Sequence, residues 1–290
     1  MEAKIKQVIS EYRLLNAEEI KEIQADVILP TQSELRRKAL IDCFSCIDLT
    51  SLNTTDNEEN ISNLVEKVNS FGESFPDFPS IAALCVYPSF VGLVRELLTE
   101  GIDIASVSAG FPHAQTFMEI KIAETSLCVM EGASEIDIVL SIGKLREKKY
   151  AEIIEEIQEI KHACKDAKLK VILESGSLSL EEIQIASILS LESGADFIKT
   201  STGKQQPAAT PEAAVAMCHI LAEYERINHK IAGFKAAGGI VEANDALLYY
   251  SIFKHILGKD AIEKERFRLG ASRLANAILS ELTGRAVQFF

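Results

Sequence analysis

Two lysines end short apolar segments in the second half of the chain. Lys199 ends the segment Asp196-Phe-Ile-Lys199, and Lys235 ends Gly233-Phe-Lys235. A lysine whose amine is neutral near pH 7 can add to a carbonyl carbon, lose water and form an imine. The protonated imine nitrogen can then accept the electron pair of a breaking C–C bond. The two lysines therefore predict covalent carbonyl chemistry, provided that the pKa of one amine is lowered.

Acidic side chains that could move protons occur in a similar context. Charged and apolar residues alternate in Glu135-Ile-Asp137-Ile-Val-Leu140, and again in Lys170-Val-Ile-Leu-Glu174. Successive residues of a strand point to opposite faces, so these charged side chains would point inward when their apolar neighbours point outward. We expect Asp137 to transfer protons at the carbinolamine and at the reacting hydroxyl of a substrate.

The elements that must position these residues alternate along the chain. From residue 45 on, short apolar runs are separated by stretches in which apolar residues recur every three to four positions. Eight such strand–helix units, in a length near the ~250 residues typical of that fold, favour an α/β fold of the TIM (β/α)8 barrel type over an open doubly wound sheet. The candidate strands are Ser45–Leu49, Ile81–Val86, Asp103–Val107, Glu135–Leu140, Leu169–Glu174, Asp196–Thr200, Ile231–Lys235 and Phe267–Leu269.

The barrel would make the two lysines neighbours. Strands six and seven would lie about 4.8 Å apart, so repulsion between Lys199 and Lys235, added to desolvation, would lower the pKa of one amine. Imine formation by such a neutral lysine is the chemistry of class I aldolases, which needs no metal. The alternative is a buried ion-pair network that only fixes the barrel layers. For a single pair that alternative is favoured, whereas several charged residues near the C-terminal strand ends favour an active site.

A single barrel domain with an N-terminal extension is predicted from the change in pattern near residue 40. Residues 1–40 contain an N-cap pattern, Asn16-Ala-Glu-Glu19, and no strand signal, so we expect an N-terminal helical extension of one or two helices on the outside or bottom of the barrel. Residues 41–290 would form the barrel.

Composition excludes several classes of function. The chain has 290 residues, with 43 acidic and 30 basic side chains and a formal charge of -13, so we expect no nucleic acid partner. Its apolar runs are far below the ~20 residues that cross a bilayer, and no signal peptide is apparent, so we expect no membrane association and a cytoplasmic protein. Six scattered cysteines are expected to be buried free thiols, including the pair Cys43 and Cys46. The histidines show no metal-ligand spacing, so no metal site is predicted.

Small residues follow each of the last three candidate strands. In a (β/α)8 barrel the loops after strands seven and eight, with a helix N-terminus, commonly bind phosphate through backbone N–H groups. Glycine pairs also serve tight turns, so their position beside the lysines is what makes them informative. The segments are Thr200-Ser-Thr-Gly-Lys204, Ala236-Ala-Gly-Gly239 and Gly270-Ala-Ser272.

The segments that carry these residues closely resemble the deoxyribose-phosphate aldolase family. The most specific match pairs Phe-Ile-Lys-Thr-Ser-Thr-Gly, ending at Gly203, with Gly-Phe-Lys, ending at Lys235. The resemblance extends to about Leu282 through Ile47-Asp-Leu-Thr-Ser-Leu52, Ala83-Leu-Cys-Val-Tyr-Pro88, Ala123-Glu-Thr125, Gly132-Ala-Ser-Glu-Ile-Asp-Ile-Val139, Gly194–Lys204 and Gly233–Ile240. It implies reversible cleavage of 2-deoxy-D-ribose 5-phosphate to D-glyceraldehyde 3-phosphate and acetaldehyde, without a cofactor and usually in a homodimer.

The resemblance also implies residue roles. Lys199 would form the Schiff base, Lys235 would depress its pKa, and Asp137 would transfer protons with an ordered water. Lys170 and Glu174 would support the pocket. The substrate phosphate would contact Gly203, Lys204, Gly238, Gly239, Gly270 and Ser272. Asp48, Thr50 and Cys85, at the ends of strands one and two, would contact substrate hydroxyls, although Cys85 could equally be a packing residue.

The chain departs from the family pattern at several positions. Val241 replaces an arginine that many members carry after the paired glycines, and Arg273 replaces the second serine of a frequent Gly-Ala-Ser-Ser. Ala236 stands in place of a usual proline. Several members end in a tyrosine that assists proton abstraction, whereas this chain ends in Phe290, which cannot transfer a proton.

Two other functions stay open on the sequence alone. The first is a Schiff-base lyase of the same architecture acting on another phosphorylated sugar or a keto acid, in which Lys199 would keep its role. The second is a catalytically silent barrel that binds a sugar phosphate or a protein partner. The presence of Asp137, Lys199 and Lys235 together disfavours the silent barrel.

Overall fold

Eight parallel strands close into a barrel. The computed structural model of the protein describes residues 2–290. The strands neighbour one another in chain order, and the eighth pairs with the first. The predicted TIM (β/α)8 fold is therefore confirmed. The strands are β1 (Ile47–Thr50), β2 (Ala83–Val86), β3 (Asp103–Val107), β4 (Glu135–Val139), β5 (Lys168–Ile172), β6 (Phe197–Lys199), β7 (Gly233–Ala237) and β8 (Phe267–Ala271).

Helices connect the strands and cover the outside of the barrel. Their apolar faces pack on the strands, and their polar faces are exposed. The helices are α1 (Glu2–Glu11), α2 (Ala17–Asp26), α3 (Ser33–Ser45), α4 (Glu58–Ser74), α5 (Val91–Leu97), α6 (Met118–Glu131), α7 (Ile142–Arg146), α8 (Tyr150–Cys164), α9 (Leu180–Glu192), α10 (Pro211–Asn228), α11 (Ala243–Leu257) and α12 (Leu274–Thr283).

All eight predicted strands exist, but some of their predicted ends are wrong. Ser45 ends α3, where its hydroxyl donates to the carbonyl of Asp42 at 2.8 Å, rather than starting β1. Glu174 lies beyond the end of β5 with a φ of 54°, because the chain leaves the sheet there. Ile231 precedes β7 and is 69% exposed, so it is not part of the buried strand.

Strand register fixes the heights of the lysines. Lys199 on β6 and Lys235 on β7 are direct register partners, as the sequence predicts. Asp137 on β4 is the register partner of Lys170 on β5. Because these residues alternate with apolar residues that face the helices, their side chains meet inside the barrel.

Side-chain caps fix the helices that follow the strands. Ser179 starts α9 with a capping box, and Thr210 caps the N-terminus of α10. At the start of α4, the side chain of Asn57 accepts the backbone N–H of Asn60 at 2.9 Å.

The N-terminal segment lies on the outer helices. It contains three helices, where one or two were expected: α1 packs on α8, α2 on α10, and α3 on α11 and α12. Because α3 continues to Ser45, a helix crosses the predicted boundary at residue 40. The division into an extension and a barrel domain stays a prediction.

The core confirms the prediction for the cysteines. All six are buried and free, with no disulfide between them. In residues 2–290, none of the helices has the length and apolar character needed to cross a membrane.

Candidate active site

Three buried charged side chains meet near the C-terminal ends of β4, β6 and β7. The Nζ of Lys199 donates to Oδ2 of Asp137 at 2.7 Å, and the Nζ of Lys235 donates to the same oxygen at 2.8 Å. Asp137 and Lys235 are fully buried, and Lys199 is 3% exposed. The structure thus brings together the three residues that the sequence analysis placed at the centre of the chemistry.

A second group of charges lies closer to the N-terminal ends of the strands. Asp48 Oδ2 is 2.8 Å from Nζ of Lys170 and 2.5 Å from Nζ of Lys235. Lys170 also contacts Glu135, and its Nζ is 3.4 Å from Oδ1 of Asp137. All five side chains are fully buried, so each charge depends on its partners within the barrel.

The two lysine amines have opposite pKa shifts. The pKa of Lys199 is lowered, chiefly by burial and in addition by the positive charge of Lys235, although Asp137 opposes both effects. Burial would also lower the pKa of Lys235, but Asp137 and Asp48 outweigh it and raise that pKa. Lys235 is therefore the permanent cation of the pair, and Lys199 is the amine that can be neutral.

One wall of the barrel interior beside the lysines is apolar. It is formed by Ala83, Cys85, Ala105 and Val107, with Leu52 above them. Cys85 is fully buried in this wall, and burial raises the pKa of its thiol. Cys85 therefore packs here as a small apolar residue.

A cavity of about 330 Å³ opens above Lys199 at the C-terminal end of the barrel. The residues that the resemblance assigns to phosphate lie together in its wall, although they come from the loops after β6 and β7 and from the end of β8 with the turn that follows it. Its lining includes Thr50, Gly203, Lys204, Gly238, Gly239, Gly270, Ser272 and Arg273. A phosphate bound there would meet backbone N–H groups and two cationic side chains.

A buried carboxylate holds the loop after β6. Glu174 accepts hydrogen bonds from the hydroxyl of Thr202, at 2.5 Å, and from its backbone N–H, at 3.2 Å. The hydroxyl of Thr202 in turn accepts the N–H of Lys204 at 3.0 Å. The amine of Lys204 donates to the carbonyl of Leu52, so it spans the cavity towards the loop after β1.

Two glycines are required by close packing around this cavity. Gly238 has a φ of 86°, and a Cβ there would lie 2.6 Å from Oγ of Ser201. A Cβ on Gly270 would lie 2.9 Å from Cε of Lys235, so a larger residue would displace the second lysine.

Asp48 is placed differently from the sequence expectation. It does not line the cavity, and its two oxygens already contact Lys170, Lys235 and Arg268. Its position offers charge compensation rather than a contact to a substrate hydroxyl. Lys170, which was also expected among the substrate-binding residues, does not line the cavity either and contacts Asp48 and Glu135 instead.

Arg268 is the charged interior residue that the sequence analysis did not single out. It is fully buried, with Nη1 2.5 Å from Oδ1 of Asp48 and Nη2 2.7 Å from Oε1 of Glu135. The sequence did contain a signal for an inward-facing Arg268, because this residue lies between the apolar Phe267 and Leu269 in the eighth candidate strand. The same alternation identified Asp137.

The C-terminal tail is docked away from this cavity. The side chain of Asn276 on α12 accepts the backbone N–H groups of Phe289 and Phe290 at 2.9 and 3.0 Å. The ring of Phe290 stacks on Phe71 of α4, with centroids 5.6 Å apart. The tail thus closes part of the helical layer, and residues 285–290 are not part of the cavity wall.

The arrangement as a whole defines a class of protein. A (β/α)8 barrel that holds a low-pKa lysine, a second cationic lysine and a carboxylate below a glycine-lined cavity is suited to carbonyl chemistry on a phosphorylated compound. Within residues 2–290, no three His, Cys, Asp or Glu side chains are grouped so as to hold a metal ion.

Comparison with known proteins identifies the family. Residues 44–250 match the family model described as DeoC/LacD family aldolase. The deoxyribose-phosphate aldolase of Bos taurus is 36% identical over 276 residues, which cover 88% of this chain and 86% of the relative. The structure titled "QR15, an Aldolase" superposes with a TM-score of 0.68 at 29% identity, covering 84% of this chain and 99% of that one. The chain therefore belongs to the DeoC/LacD aldolase family and is a carbon–carbon lyase.

Proposed function

We propose that the protein reversibly cleaves 2-deoxy-D-ribose 5-phosphate to D-glyceraldehyde 3-phosphate and acetaldehyde through a Schiff base on Lys199. The observation that carries this proposal is the contact of two buried amines with one carboxylate oxygen, Lys199 at 2.7 Å and Lys235 at 2.8 Å from Asp137. The Bos taurus relative, a deoxyribose-phosphate aldolase, supports the choice of substrate.

The reaction begins with the neutral amine of Lys199. Its nitrogen attacks C1 of the open-chain aldehyde, and the carbonyl oxygen takes up a proton to give a carbinolamine. A second proton on that oxygen lets it leave as water, so that a protonated imine forms. Loss of the proton from the C3 hydroxyl converts C3 to an aldehyde as the C2–C3 bond breaks. The electron pair of that bond moves to C2 and into the imine, which gives an enamine and releases glyceraldehyde 3-phosphate.

The second half of the reaction restores the enzyme. Protonation at C2 converts the enamine back to an imine, and hydrolysis of the imine releases acetaldehyde and the amine of Lys199. Asp137 is suited to these transfers, because its Oδ2 lies between the two amines while its buried Oδ1 has no hydrogen-bond partner in residues 2–290. A water molecule at Oδ1 would complete the route between this carboxylate and the substrate hydroxyl.

Recognition of the phosphate would use the loops after β6, β7 and β8. Glycines at positions 203, 238 and 239 line the cavity without a side chain, so a phosphate can approach the backbone there, and Lys204 and Arg273 supply positive charge to the same cavity. Val241, which replaces the arginine that many members carry, also lines this cavity, so Arg273 is the cation available to replace that arginine.

Replacing Arg273 with alanine is expected to weaken phosphate recognition selectively. The KM for 2-deoxy-D-ribose 5-phosphate should rise about 10–150-fold, because one charge-assisted contact is worth about 1.5–3 kcal/mol. The turnover of 2-deoxy-D-ribose, which lacks the phosphate, should not change. Steady-state kinetics on both substrates would test this, with Arg285→Ala as the control that removes an exposed arginine at the far end of α12. Equal losses on both substrates would refute the assignment.

Reductive trapping tests the covalent step directly. Borohydride added in the presence of acetaldehyde should reduce the imine and leave an ethyl group on the peptide that contains Lys199. Peptide mass spectrometry then identifies the modified lysine. An unmodified Lys199 peptide would refute the proposed mechanism. Product analysis with other phosphorylated sugars and keto acids would reveal a different substrate for the same lysine.

Two expectations about the cellular form of the protein stay predictions. We expect a homodimer, which light scattering coupled to size-exclusion chromatography would measure directly. The deoxyribose phosphate aldolase from Aeropyrum pernix has a tetrameric structure, so a tetramer is the outcome to be distinguished. We also expect a cytoplasmic location, which cell fractionation would test.

A further inference from the structure

We propose that Arg268 is a positioning residue that keeps the amine of Lys199 neutral by balancing the buried carboxylates of Glu135 and Asp48. This inference rests on the proposed function of Lys199 and goes beyond it, because Arg268 lies below the cavity and contacts none of its lining through an ion pair. It acts on Lys199 through the residues between them.

The contacts of Arg268 form a continuous path to the reactive amine. The Nη1 atom of Arg268 lies 2.5 Å from one oxygen of Asp48, and the other oxygen of Asp48 lies 2.5 Å from Nζ of Lys235. Lys235 in turn shares Oδ2 of Asp137 with Lys199. Arg268 therefore holds Asp48 in position, and Asp48 in turn holds Lys235.

The buried charges balance only when Lys199 is neutral. Glu135, Asp48 and Asp137 contribute three negative charges, and all three side chains are fully buried. Arg268, Lys170 and Lys235 contribute three positive charges, also fully buried. A protonated Lys199 would add a fourth cation to this group, and the next buried carboxylate, Glu174, is already held by Thr202 rather than by a cation.

The partly exposed charges at the lower end of the barrel do not change this balance. Asp103 and Lys168 are 29% and 34% exposed and lie 3.8 Å apart, so they cancel each other. Lys168 is also 3.4 Å from Glu135, and Asp103 is 3.4 Å from Arg268.

The pH dependence of Lys199 is set by the groups that face it and by those that face Arg268. Asp137, Lys235 and Cys85 face Lys199 from β4, β7 and β2. The groups that face Arg268 are Asp48 on β1, Asp103 on β3, Glu135 on β4, Lys170 on β5, the ring of Phe197 on β6, Lys235 on β7 and the thiol of Cys46.

Replacing Arg268 with methionine should therefore make Lys199 easier to protonate. The change removes one buried positive charge, so the uncompensated carboxylates stabilise the ammonium form of Lys199. A unit charge acting over roughly 10 Å at an effective dielectric constant of about 20 shifts a pKa by about one unit. We expect the pH at which half of Lys199 is neutral to rise by about that amount. Glu135→Gln should lower it, because that variant removes a negative charge.

The rate of carbamylation of Lys199 by cyanate gives this pH without any aldolase assay. Cyanate is small and reacts with the neutral amine, and peptide mass spectrometry quantifies the product across pH 5 to pH 10. Failure of the proposed function would show as absent imine trapping with an intact carbamylation profile. Failure of this inference would show as a carbamylation profile that Arg268→Met leaves unchanged.

The double variant Arg268→Met/Glu135→Gln separates charge balance from simple structural support. It removes one charge of each sign, so its carbamylation profile should return to that of the unmodified protein. A purely structural role predicts instead that the double variant is no better than Arg268→Met. Arg266→Met is the matched control, because Arg266 pairs with Glu225 outside the barrel and should leave the profile in place. If Arg268→Met does not fold, Glu135→Gln provides the test, because it should move the carbamylation profile of Lys199 to lower pH. An unchanged profile in Glu135→Gln would overturn the inference.

Discussion

Replacing Lys199 with leucine is expected to abolish the cleavage of 2-deoxy-D-ribose 5-phosphate. Leucine cannot form an imine, so the covalent route and its electron sink disappear, and we expect kcat to fall by more than about 10⁴-fold. The fold should persist, because the buried charges of the barrel already balance without a charge on Lys199. The measurement is the rate of acetaldehyde formation, together with imine trapping by borohydride.

The exposed lysine at position 230 provides the control for this experiment. Lys230→Leu makes the same change of side chain outside the barrel and should leave both the rate and the trapping unchanged. Circular dichroism should show that both variants keep the native fold. Trapping that persists at another lysine of the Lys199→Leu protein would contradict the assignment of Lys199 as the nucleophile.

The barrel was predictable because its topology follows chain order. Once eight strand–helix units are recognised, each strand has its sequence neighbours beside it, so adjacent strands six and seven must carry Lys199 and Lys235 side by side. Alternation then gives the direction of each side chain. The same logic predicted that Asp137 would point inward.

The pairing of the interior charges could not be predicted from the sequence. Asp48 and Arg268 are 220 residues apart in the chain and meet only because β1 and β8 close the barrel. Alternation predicts that both point inward, but it does not tell which carboxylate each cation contacts or how deep each lies. Asp48 was therefore expected at a substrate hydroxyl, whereas the structure places it between three cations.

The position of the C-terminal tail also depended on tertiary contacts. Residues 285–290 follow the last helix with no periodic pattern, and their docking depends on one side chain, Asn276, and on the aromatic surface of Phe71 and Phe75. Several family members end in a tyrosine that assists proton abstraction, whereas this chain ends in Phe290. In this structure Phe290 packs on α4, because an apolar ring is stabilised by burial there.

Replacing Lys235 with leucine is expected to leave the nucleophile in place but protonated. Lys235 carries a charge at neutral pH, since Asp137 and Asp48 raise its pKa against the effect of burial. Its removal takes away a repelling cation from Lys199 and leaves two carboxylates undercompensated, and both changes raise the pKa of Lys199. A like charge at such a distance shifts a pKa by about 1–3 units, so kcat/KM at neutral pH should fall about 10–1000-fold.

The pH dependence of this variant distinguishes a charge effect from damage to the site. Each unit of pH below the raised pKa of Lys199 reduces the neutral amine about tenfold, so kcat/KM of Lys235→Leu should climb as pH rises and approach a plateau at alkaline pH. A variant that had merely lost the geometry of the site would stay slow at every pH. Lys230→Leu is the comparison, because this lysine is exposed outside the barrel and its charge is screened by solvent, so the pH profile of that variant should follow that of the unmodified protein. If kcat/KM of Lys235→Leu stayed low at every pH, Lys199 would not depend on Lys235 for its neutral form. Only a loss of activity caused by protonation of Lys199 is recovered at alkaline pH.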